Sequence, residues 1–378
     1  MTKCSIVIDL GFGDAGKGLT TDYLASQNSK ESLVVRFSGG HQIGHTVSTE
    51  TLTHTFSNFG SGTLLGVPTY YSEHTTLFPP AILDEGVFLQ KYHPKLYFHP
   101  LAMITTFYDI AFNRAVEKQQ NNGSCGLGFG TTIARNKEEV YLYANDLQFH
   151  WVLKQRLISI KNYYETKLKT EPKSVQEYYK NELKDYNEAY FIESCFSIQK
   201  FYNLNSLSDL ATSFKNFIFE GSQGVLLDTQ HGFHPHTTWS YTTSKNAIQL
   251  IKIHLGVDAE IAIFYVTRCY QTRHGNGPMA NTEPVSLQNN EDEANVTNEF
   301  QGVFRTQALD TQLLNYALSA DAIHHQNLKL KKNLMVTCID QLPSFSTKNL
   351  LQNLDVKFNM VYESYGRKRE CITQILSK

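Results

Sequence analysis

The chain has 378 residues, of which 41% are hydrophobic and 19% are charged, and its formal net charge is −2. This composition allows a large buried core, and the small net charge gives no long-range reason to expect nucleic acid or an anionic membrane as a partner. Because no Pro/Ser-rich linker divides the sequence, we expect residues 1–378 to form one domain, with a mainly helical insertion at about residues 101–210.

The N-terminal residues Met1-Thr2-Lys3 run straight into the first predicted strand and leave no room for a signal peptide. No apolar run approaches the length needed to span a membrane. The six cysteines are scattered without C-x-x-C spacing, which is typical of reduced thiols rather than of disulfides or a zinc site. We therefore expect a cytoplasmic protein.

The first predicted elements are a buried strand at residues 5–8, the glycine-rich sequence Gly11-Phe12-Gly13-Asp14-Ala15-Gly16-Lys17-Gly18, and a helix. A strand that turns through glycines into a helix presents free backbone N–H groups and the positive end of a helix dipole, and proteins bind phosphate in this way. The sequence therefore predicts a nucleotide-binding loop. A tight turn without a ligand is the structural alternative.

Two known patterns overlap in this loop. The first, G-x-x-x-x-G-K-[ST], matches as far as Lys17, which could reach the outer phosphates of a triphosphate, but Gly18 replaces the hydroxyl residue that binds Mg²⁺. Asp14 would then supply the metal ligand. The second, G-x-G-x-x-G, is a dinucleotide fingerprint that needs an acidic residue at the end of the second strand. The strand predicted at residues 33–37 ends without one, which argues against an NAD(P)-dependent dehydrogenase.

The loop after the second strand, residues 38–47, contains two histidines among three glycines. Parallel-sheet enzymes place active-site loops at this position. We expect His45 to act in the site and His41 to cap a turn. Farther along, the helical region contains one glycine cluster, residues 123–130, which suits either close approach to a ligand or a flexible cover.

Polar residues also follow each of the later predicted strands, which lie at residues 217–220, 261–266, 334–337 and 359–362. Because the carboxyl ends of parallel strands meet at one sheet edge, these residues would line a common site. The pattern predicts an α/β enzyme with a large, mainly parallel central sheet and flanking helices.

Five or more of these segments, in order along the chain, resemble motifs of the adenylosuccinate synthetase family, whose members join aspartate to IMP at the expense of GTP. The family motifs G-D-E-G-K-G, G-G-x-N-A-G-H-T, F-E-G-A-Q-G, T-R-V-G-x-G-P, T-K-L-D and S-T-G-P-x-R are similar to the sequences that start at Gly13, Gly39, Phe219, Thr272, Thr337 and Ser364.

The resemblance implies roles for individual residues and a P-loop-like GTP site. Asp14 would remove the N1 proton of a 6-oxopurine and bind Mg²⁺ together with the Gly44 carbonyl. His45 and Lys17 would stabilise the transferred phosphoryl group, and Gln223 would hold the purine. The expected catalytic residues are Asp14, Lys17, His45 and Gln223, and the expected GTP-binding residues are Gly13, Gly16, Lys17, Gly18, Gly44, His45, Thr46, Asp340, Ser364 and Gly366.

The same resemblance implies a homodimer that binds a purine nucleotide, GTP and an amine, normally aspartate. The expected substrate-binding residues are Asp14, Gln42, Ser124, Cys125, Gln223, Thr238 and Arg305. Asp340 would select GTP over ATP, because its carboxylate can accept from guanine N1–H and N2–H₂.

Several positions depart from the family pattern. The aspartate-binding loop, residues 298–310, is short and keeps only Arg305 of an arginine cluster. Glu139 aligns nearest the arginine that the family donates across the dimer to the 5′-phosphate. Gln42, Cys125 and Cys338 replace an Asn, a Thr and a Lys. Arg135, Arg305 and Lys137 could replace the lost cations.

Four hypotheses follow from these patterns. The first is a GTP-dependent ligase of the adenylosuccinate synthetase type, and the second is a divergent member that acts on another purine or another amine. The third is a dehydrogenase, and the fourth is a catalytically silent nucleotide-binding regulator. The presence of both Asp14 and His45 argues against the fourth, since a protein that only binds nucleotide needs neither.

Overall fold

The structure is a computed structural model that describes residues 2–120, 123–256, 258–275, 277–280, 283–291, 293 and 302–375. Its strands are β1 (Lys3–Asp9), β2 (Ser32–Arg36), β3 (His45–Ser48), β4 (Thr53–Phe56), β5 (Thr69–Tyr71), β6 (Thr76–Leu77), β7 (Leu96–Phe98), β8 (Met103–Ile104), β9 (Tyr202–Leu204), β10 (Asn216–Glu220), β11 (Glu260–Arg268), β12 (Tyr270–His274), β13 (Phe304–Ala308), β14 (Lys331–Thr337), β15 (Met360–Ser364) and β16 (Ile372–Ile375).

The α-helices of the described residues are α1 (Lys17–Gln27), α2 (Pro79–Phe88), α3 (Phe107–Gln120), α4 (Phe129–Lys137), α5 (His150–Leu168), α6 (Lys173–Glu182), α7 (Glu188–Ser197), α8 (Leu207–Leu210), α9 (Lys245–Leu250), α10 (Thr311–Ala322) and α11 (Thr347–Gln352). Among these residues no helix is both long and apolar enough to cross a bilayer.

Ten of the described strands form one sheet in the order β16-β15-β14-β11-β1-β10-β2-β5-β7-β9. Every neighbouring pair in it is parallel except β15 and β16, which are antiparallel. The predicted large, mainly parallel sheet of an α/β fold is therefore confirmed. The strands predicted at residues 5–8 and 261–266 are both longer than expected, and β11 continues to Arg268.

Side chains alternate between the two faces of the sheet along each strand, and helices bury both faces. On one face Ile6, Ile8 and Val35 pack with the apolar sides of α9 and α10. On the other face Val7 and Val34 pack with Ala25 of α1. Burial of this kind holds the strand ends, and the loops that follow them, in fixed positions.

The described part of residues 101–210 contains helices α3 to α8 together with the short strands β8 and β9. The helices α3, α5, α6 and α7 share a separate apolar cluster, and β9 joins the edge of the main sheet beside β7. The division of the chain into one domain with an insertion stays a prediction.

Candidate functional site

The loop between β1 and α1 is organised by Asp9, the last residue of β1. Its carboxylate accepts hydrogen bonds from the backbone N–H groups of Gly11 at 2.8 Å and Ala15 at 3.0 Å. Gly16, at the N-terminal end of α1, has a φ of 101°, which L side chains rarely adopt. The glycine-rich turn predicted from sequence is therefore present, and a buried carboxylate that we did not select fixes its shape.

Lys17 is buried at the first position of α1. Its Nζ lies 3.1 Å from Asp9 Oδ2 and donates to the Gln223 carbonyl at 2.6 Å. Gln223 itself has a φ of 51°, in the left-handed region. Lys17 thus links the loop after β1 to the loop after β10, which is the adjacent parallel strand.

Asp14 also has left-handed backbone geometry, with a φ of 63°. Arg268 Nε donates to the Asp14 carbonyl at 2.7 Å, and His274 Nε2 lies 3.5 Å from Asp14 Oδ2. Burial raises the pKa of the Asp14 carboxyl, and the nearby His274, Lys17 and Arg268 oppose that rise. A carboxylate with a raised pKa is a better proton acceptor, so Asp14 suits a general base.

His45, at the start of β3, is held by a buried network centred on Glu220. Glu220 Oε1 lies 3.0 Å from His45 Nδ1 and accepts from Ser61, while Glu220 Oε2 lies 3.0 Å from Arg36 Nε. Burial lowers the pKa of His45 to about 4. Burial would raise the pKa of Glu220, but Arg36, His45 and Ser61 together outweigh this effect and the pKa falls to about 2. At neutral pH the network therefore contains a neutral imidazole and a charged carboxylate.

These groups surround one cavity of about 180 Å³ at the carboxyl ends of the central strands. The residues selected from sequence that line it are Asp14, Gly16, Lys17, Gly18, Gly44, His45, Thr46, Gln223, Asp340 and Gly366. The strand order brings these residues together from three distant parts of the chain. A concave, partly polar cavity with a glycine-rich loop at its wall is typical of a nucleotide site.

Other selected residues lie outside the lining of this cavity. Gly13 lies beside Gln223, and the buried Ser364 donates to the Gly366 carbonyl at 2.7 Å. The Thr238 backbone N–H donates to the Leu227 carbonyl at 2.8 Å.

In the region of the glycine cluster, the Ser124 hydroxyl exchanges hydrogen bonds with the Asn113 side chain. Burial raises the pKa of the half-buried Cys125 thiol. The half-buried Gln42 has a buried Oε1 without a hydrogen-bond partner among the described residues. The substrate roles of Ser124, Cys125 and Gln42 stay predictions.

His41 does not cap a turn as expected. Both of its ring nitrogens are buried without a hydrogen-bond partner in the described part of the chain, and its ring lies 5.0 Å from that of Phe78. Burial lowers the pKa of His41 to about 4. The histidine is a neutral, packed side chain because no described residue places an acceptor close enough to stabilise its charged form.

The expectation that Arg135 could move to a vacated anion site is wrong. Arg135 is fully buried, its Nε donates to Asp109 Oδ1 at 2.9 Å, and its Nη2 donates to the Ile104 carbonyl at 2.9 Å. Removing a buried guanidinium from its carboxylate partner would be costly. Arg135 therefore belongs to the packing of the helical region.

The other two replacement cations have contacts of their own. Arg305 Nη2 donates to the Gly275 and Gly277 carbonyls at 2.5 Å each. Lys137 Nζ lies 5.2 Å from the centre of the Trp239 ring. The predicted amine-binding loop starts at Asn298, and residues 294–301 lie outside the described residues.

Sequence reasoning assigned no role to several residues that line the cavity, including Arg268, Glu293, Thr337, Gln341 and Arg367. Arg268 Nη1 donates to Glu293 Oε2 at 2.7 Å, and Thr337 Oγ1 donates to the Ala15 carbonyl at 2.7 Å. Arg268 could have been found, because it is a charged residue two positions after an apolar run. We ended the predicted strand at Val266 and so left Arg268 out of the site. A strand continued by two residues would have placed Arg268 at the sheet edge.

Magnesium needs few protein ligands, because it usually keeps water and substrate phosphates in its coordination shell. Within the described residues no group of three or more His, Cys, Asp or Glu side chains could hold a metal ion. Asp14 and Gly44 nevertheless line the same cavity and can offer a carboxylate and a carbonyl oxygen. These oxygen donors fit a magnesium ion that is shared with a bound nucleotide.

A family model described as adenylosuccinate synthetase matches residues 6–350 of the chain. The adenylosuccinate synthetase of Psychrobacter cryohalolentis is 29% identical over 293 residues, which are 74% of this chain and 65% of that protein. The enzyme of Thermoplasma volcanium is 27% identical over 349 residues, which are 85% of this chain and 73% of that protein. This chain thus covers slightly less than two thirds of the length of the Psychrobacter cryohalolentis enzyme.

Two solved structures share the fold at 16% sequence identity. The fully ligated adenylosuccinate synthetase of Plasmodium falciparum superposes with a TM-score of 0.75, and the comparison covers 99% of each chain. The succinoaminodeoxyadenylate synthetase of cyanophage S-2L, bound to dGMP and to dATP as an energy donor, has a TM-score of 0.68 over 99% of this chain and 95% of its own.

Proposed function

Because the chain belongs to the adenylosuccinate synthetase family, we propose that it is a GTP-dependent ligase that joins an amine to the 6-position of a purine nucleotide. The observation that carries this proposal is the common cavity lined by Asp14, Lys17, His45 and Asp340. IMP is the proposed purine and aspartate the proposed amine. We further propose a cytoplasmic homodimer, as the family resemblance implies.

In the proposed first step Asp14 accepts the N1 proton of the 6-oxopurine, and the electron pair moves to O6. O6 then attacks the γ-phosphorus, the bond to the bridging oxygen breaks, and GDP leaves. The amine next attacks C6, inorganic phosphate leaves, and the amine nitrogen loses a proton. The 6-oxo group is a poor leaving group, and its phosphorylation makes the displacement possible.

Three groups of the chain stabilise the charge that develops during transfer. His45 Nδ1 faces the Glu220 carboxylate and carries the hydrogen there, so the ring donates from Nε2 only when it takes up a second proton, which negative charge developing on the phosphoryl group would favour. Lys17 brings a positive charge to the same wall of the cavity. The carboxylate of Asp14 and the carbonyl of Gly44 would hold Mg²⁺, which supplies charge neutralisation for the phosphate oxygens when it is bound.

The choice of GTP rests on Asp340, which lies in a short helical turn directly after β14 and lines the cavity. Its carboxylate can accept from guanine N1–H and N2–H₂, whereas adenine offers no such pair of donors. Loss of this charge-assisted pair corresponds to about 1.5–3 kcal/mol, or roughly 10- to 150-fold in affinity.

Calorimetric titration with GTP and ATP tests this choice, with Asp340→Asn as the matched variant. The wild-type protein should prefer GTP by that factor, and the variant should lose most of the preference because it loses the charged acceptor. Equal affinities of the wild-type protein for GTP and ATP would contradict the assignment.

A second candidate function is a divergent ligase that uses another purine or another amine. Two observations favour it: Arg135 is locked in the helical region, and Arg305 is held by the Gly275 and Gly277 carbonyls. Glu139, which aligns nearest the cation that the family resemblance implies for the 5′-phosphate, is exposed. Like charges about 5 Å apart repel by roughly 3 kcal/mol at an effective dielectric of about 20.

A steady-state assay with IMP, aspartate, GTP and Mg²⁺ separates the two functions. If the divergent candidate holds, adenylosuccinate formation will be weak or undetectable, and activity will appear in a screen of other purine nucleosides, nucleotides and amines. A turnover of the order of 1 s⁻¹ with IMP and aspartate, typical of metabolic enzymes, would make the divergent candidate wrong.

A further inference from the structure

The side chain of His274 faces the proposed general base. His274 is the last residue of β12, and its Nε2 lies 3.5 Å from Asp14 Oδ2. The family motif T-R-V-G-x-G-P has a valine at this position, whereas this sequence reads Thr272-Arg273-His274-Gly275. The His274 ring can donate a hydrogen bond to Asp14, which a valine side chain cannot do.

The surroundings of the ring decide which nitrogen carries the hydrogen. His274 Nδ1 is buried and has no hydrogen-bond partner among the described residues. A hydrogen on Nδ1 would be a buried donor without an acceptor, while a hydrogen on Nε2 faces a carboxylate. A hydrogen on Nε2 is therefore favoured over a hydrogen on Nδ1.

The backbone holds the ring in this position. His274 pairs with Phe304 in the antiparallel β12–β13 ribbon, and the centres of the two rings are 4.8 Å apart. Asp14 is fixed from the other side, because Arg268 Nε donates to its carbonyl at 2.7 Å. Both partners of the contact are thus positioned by separate elements of the fold.

We propose that His274 is a positioning residue: its Nε2–H holds Asp14 Oδ2, so that the other carboxylate oxygen faces the purine N1. This inference rests on the proposed function of Asp14 as general base. The separation of 3.5 Å is longer than a formed hydrogen bond, and catalytic contacts are often long before substrate binds.

Variants at position 274 test the role through kinetics. His274→Gln can place its amide N–H near the position of Nε2, whereas His274→Asn is too short and places it near Nδ1. We expect His274→Val and His274→Asn to lower kcat about tenfold with little change in the KM for GTP, and His274→Gln to restore most of the loss. Equal losses in the Gln and Asn variants, with unchanged melting temperatures, would overturn the proposal.

A second measurement does not depend on activity. Nitrogen-15 NMR of histidine-labelled protein reports the tautomer of each imidazole, and we expect the Nε2–H form for His274. The Nε2 signal should shift in Asp14→Ala, which removes the acceptor. An Nδ1–H tautomer, or a signal that ignores Asp14→Ala, would overturn the contact itself. If the wild-type protein is inactive with every purine, the proposed function fails, while this measurement still decides whether His274 holds Asp14.

Discussion

Replacement of Glu220 by glutamine should destabilise the protein strongly. The Glu220 carboxylate is fully buried and is shared by Arg36, His45 and Ser61. Glutamine keeps the shape of the side chain but cannot neutralise Arg36, whose side chain is 0% exposed. The variant therefore leaves a buried guanidinium without its counter-charge. The NH2 of the glutamine amide also faces a group that donated to the carboxylate, so two donors meet.

Breaking a buried ion pair by removing one partner costs about 3–5 kcal/mol in the free energy of unfolding. The unfolding entropy is about 2.1 cal/mol/K per residue, so 378 residues correspond to about 0.8 kcal/mol/K. Division of the two quantities predicts a fall in melting temperature of about 4–6 °C. Turnover should fall as well, because His45 Nδ1 loses the charged acceptor that orients its ring.

Urea unfolding at pH 7, followed by circular dichroism, measures the change in free energy. The matched control is Glu220→Met compared with Arg36→Met/Glu220→Met, which removes both charges. The double variant should be more stable than the single one, although it leaves the Phe59 carbonyl without the Arg36 Nη2 donor. A loss below about 1 kcal/mol in Glu220→Gln, or a double variant less stable than Glu220→Met, would refute the reasoning.

Two further predictions concern the site. Asp14→Asn should abolish purine phosphorylation without unfolding the protein, and His45→Ala should slow turnover by roughly 10²–10³; near-normal single-turnover rates in both variants would point to other catalytic groups. The pKa of His41 is lowered to about 4 from its ordinary 6.5, so the unfolded chain binds the proton first and the free energy of unfolding falls as the pH drops from about 6.5 to 4. His41→Leu should lower the pH dependence of the free energy of unfolding by up to about 1.4 kcal/mol per pH unit, while the contribution of His45 to that dependence remains. Urea unfolding at pH 7, 6 and 5 measures the dependence. An unchanged dependence would show that His41 is not buried as a neutral ring.

The sequence by itself determined the class of fold and the main loops of the site. Apolar runs that end in glycine and polar residues mark parallel strands buried on both faces, and each such strand must deliver its polar end to the same sheet edge. The loop at residues 11–18, His45 and Asp340 could therefore be predicted as neighbours, and the cavity is lined by His45, Asp340 and the loop residues Asp14, Gly16, Lys17 and Gly18.

Only the tertiary structure decided which partners these groups have. The strand order places β11 beside β1, and this brings Arg268 to the carbonyl of Asp14 although the two residues are 254 positions apart. The β12–β13 ribbon brings His274 to the Asp14 carboxylate, and the helical packing binds Arg135 to Asp109. Such contacts depend on register and on which buried charges find a counter-charge, and neither is encoded in the local pattern of residues from which the strands were predicted.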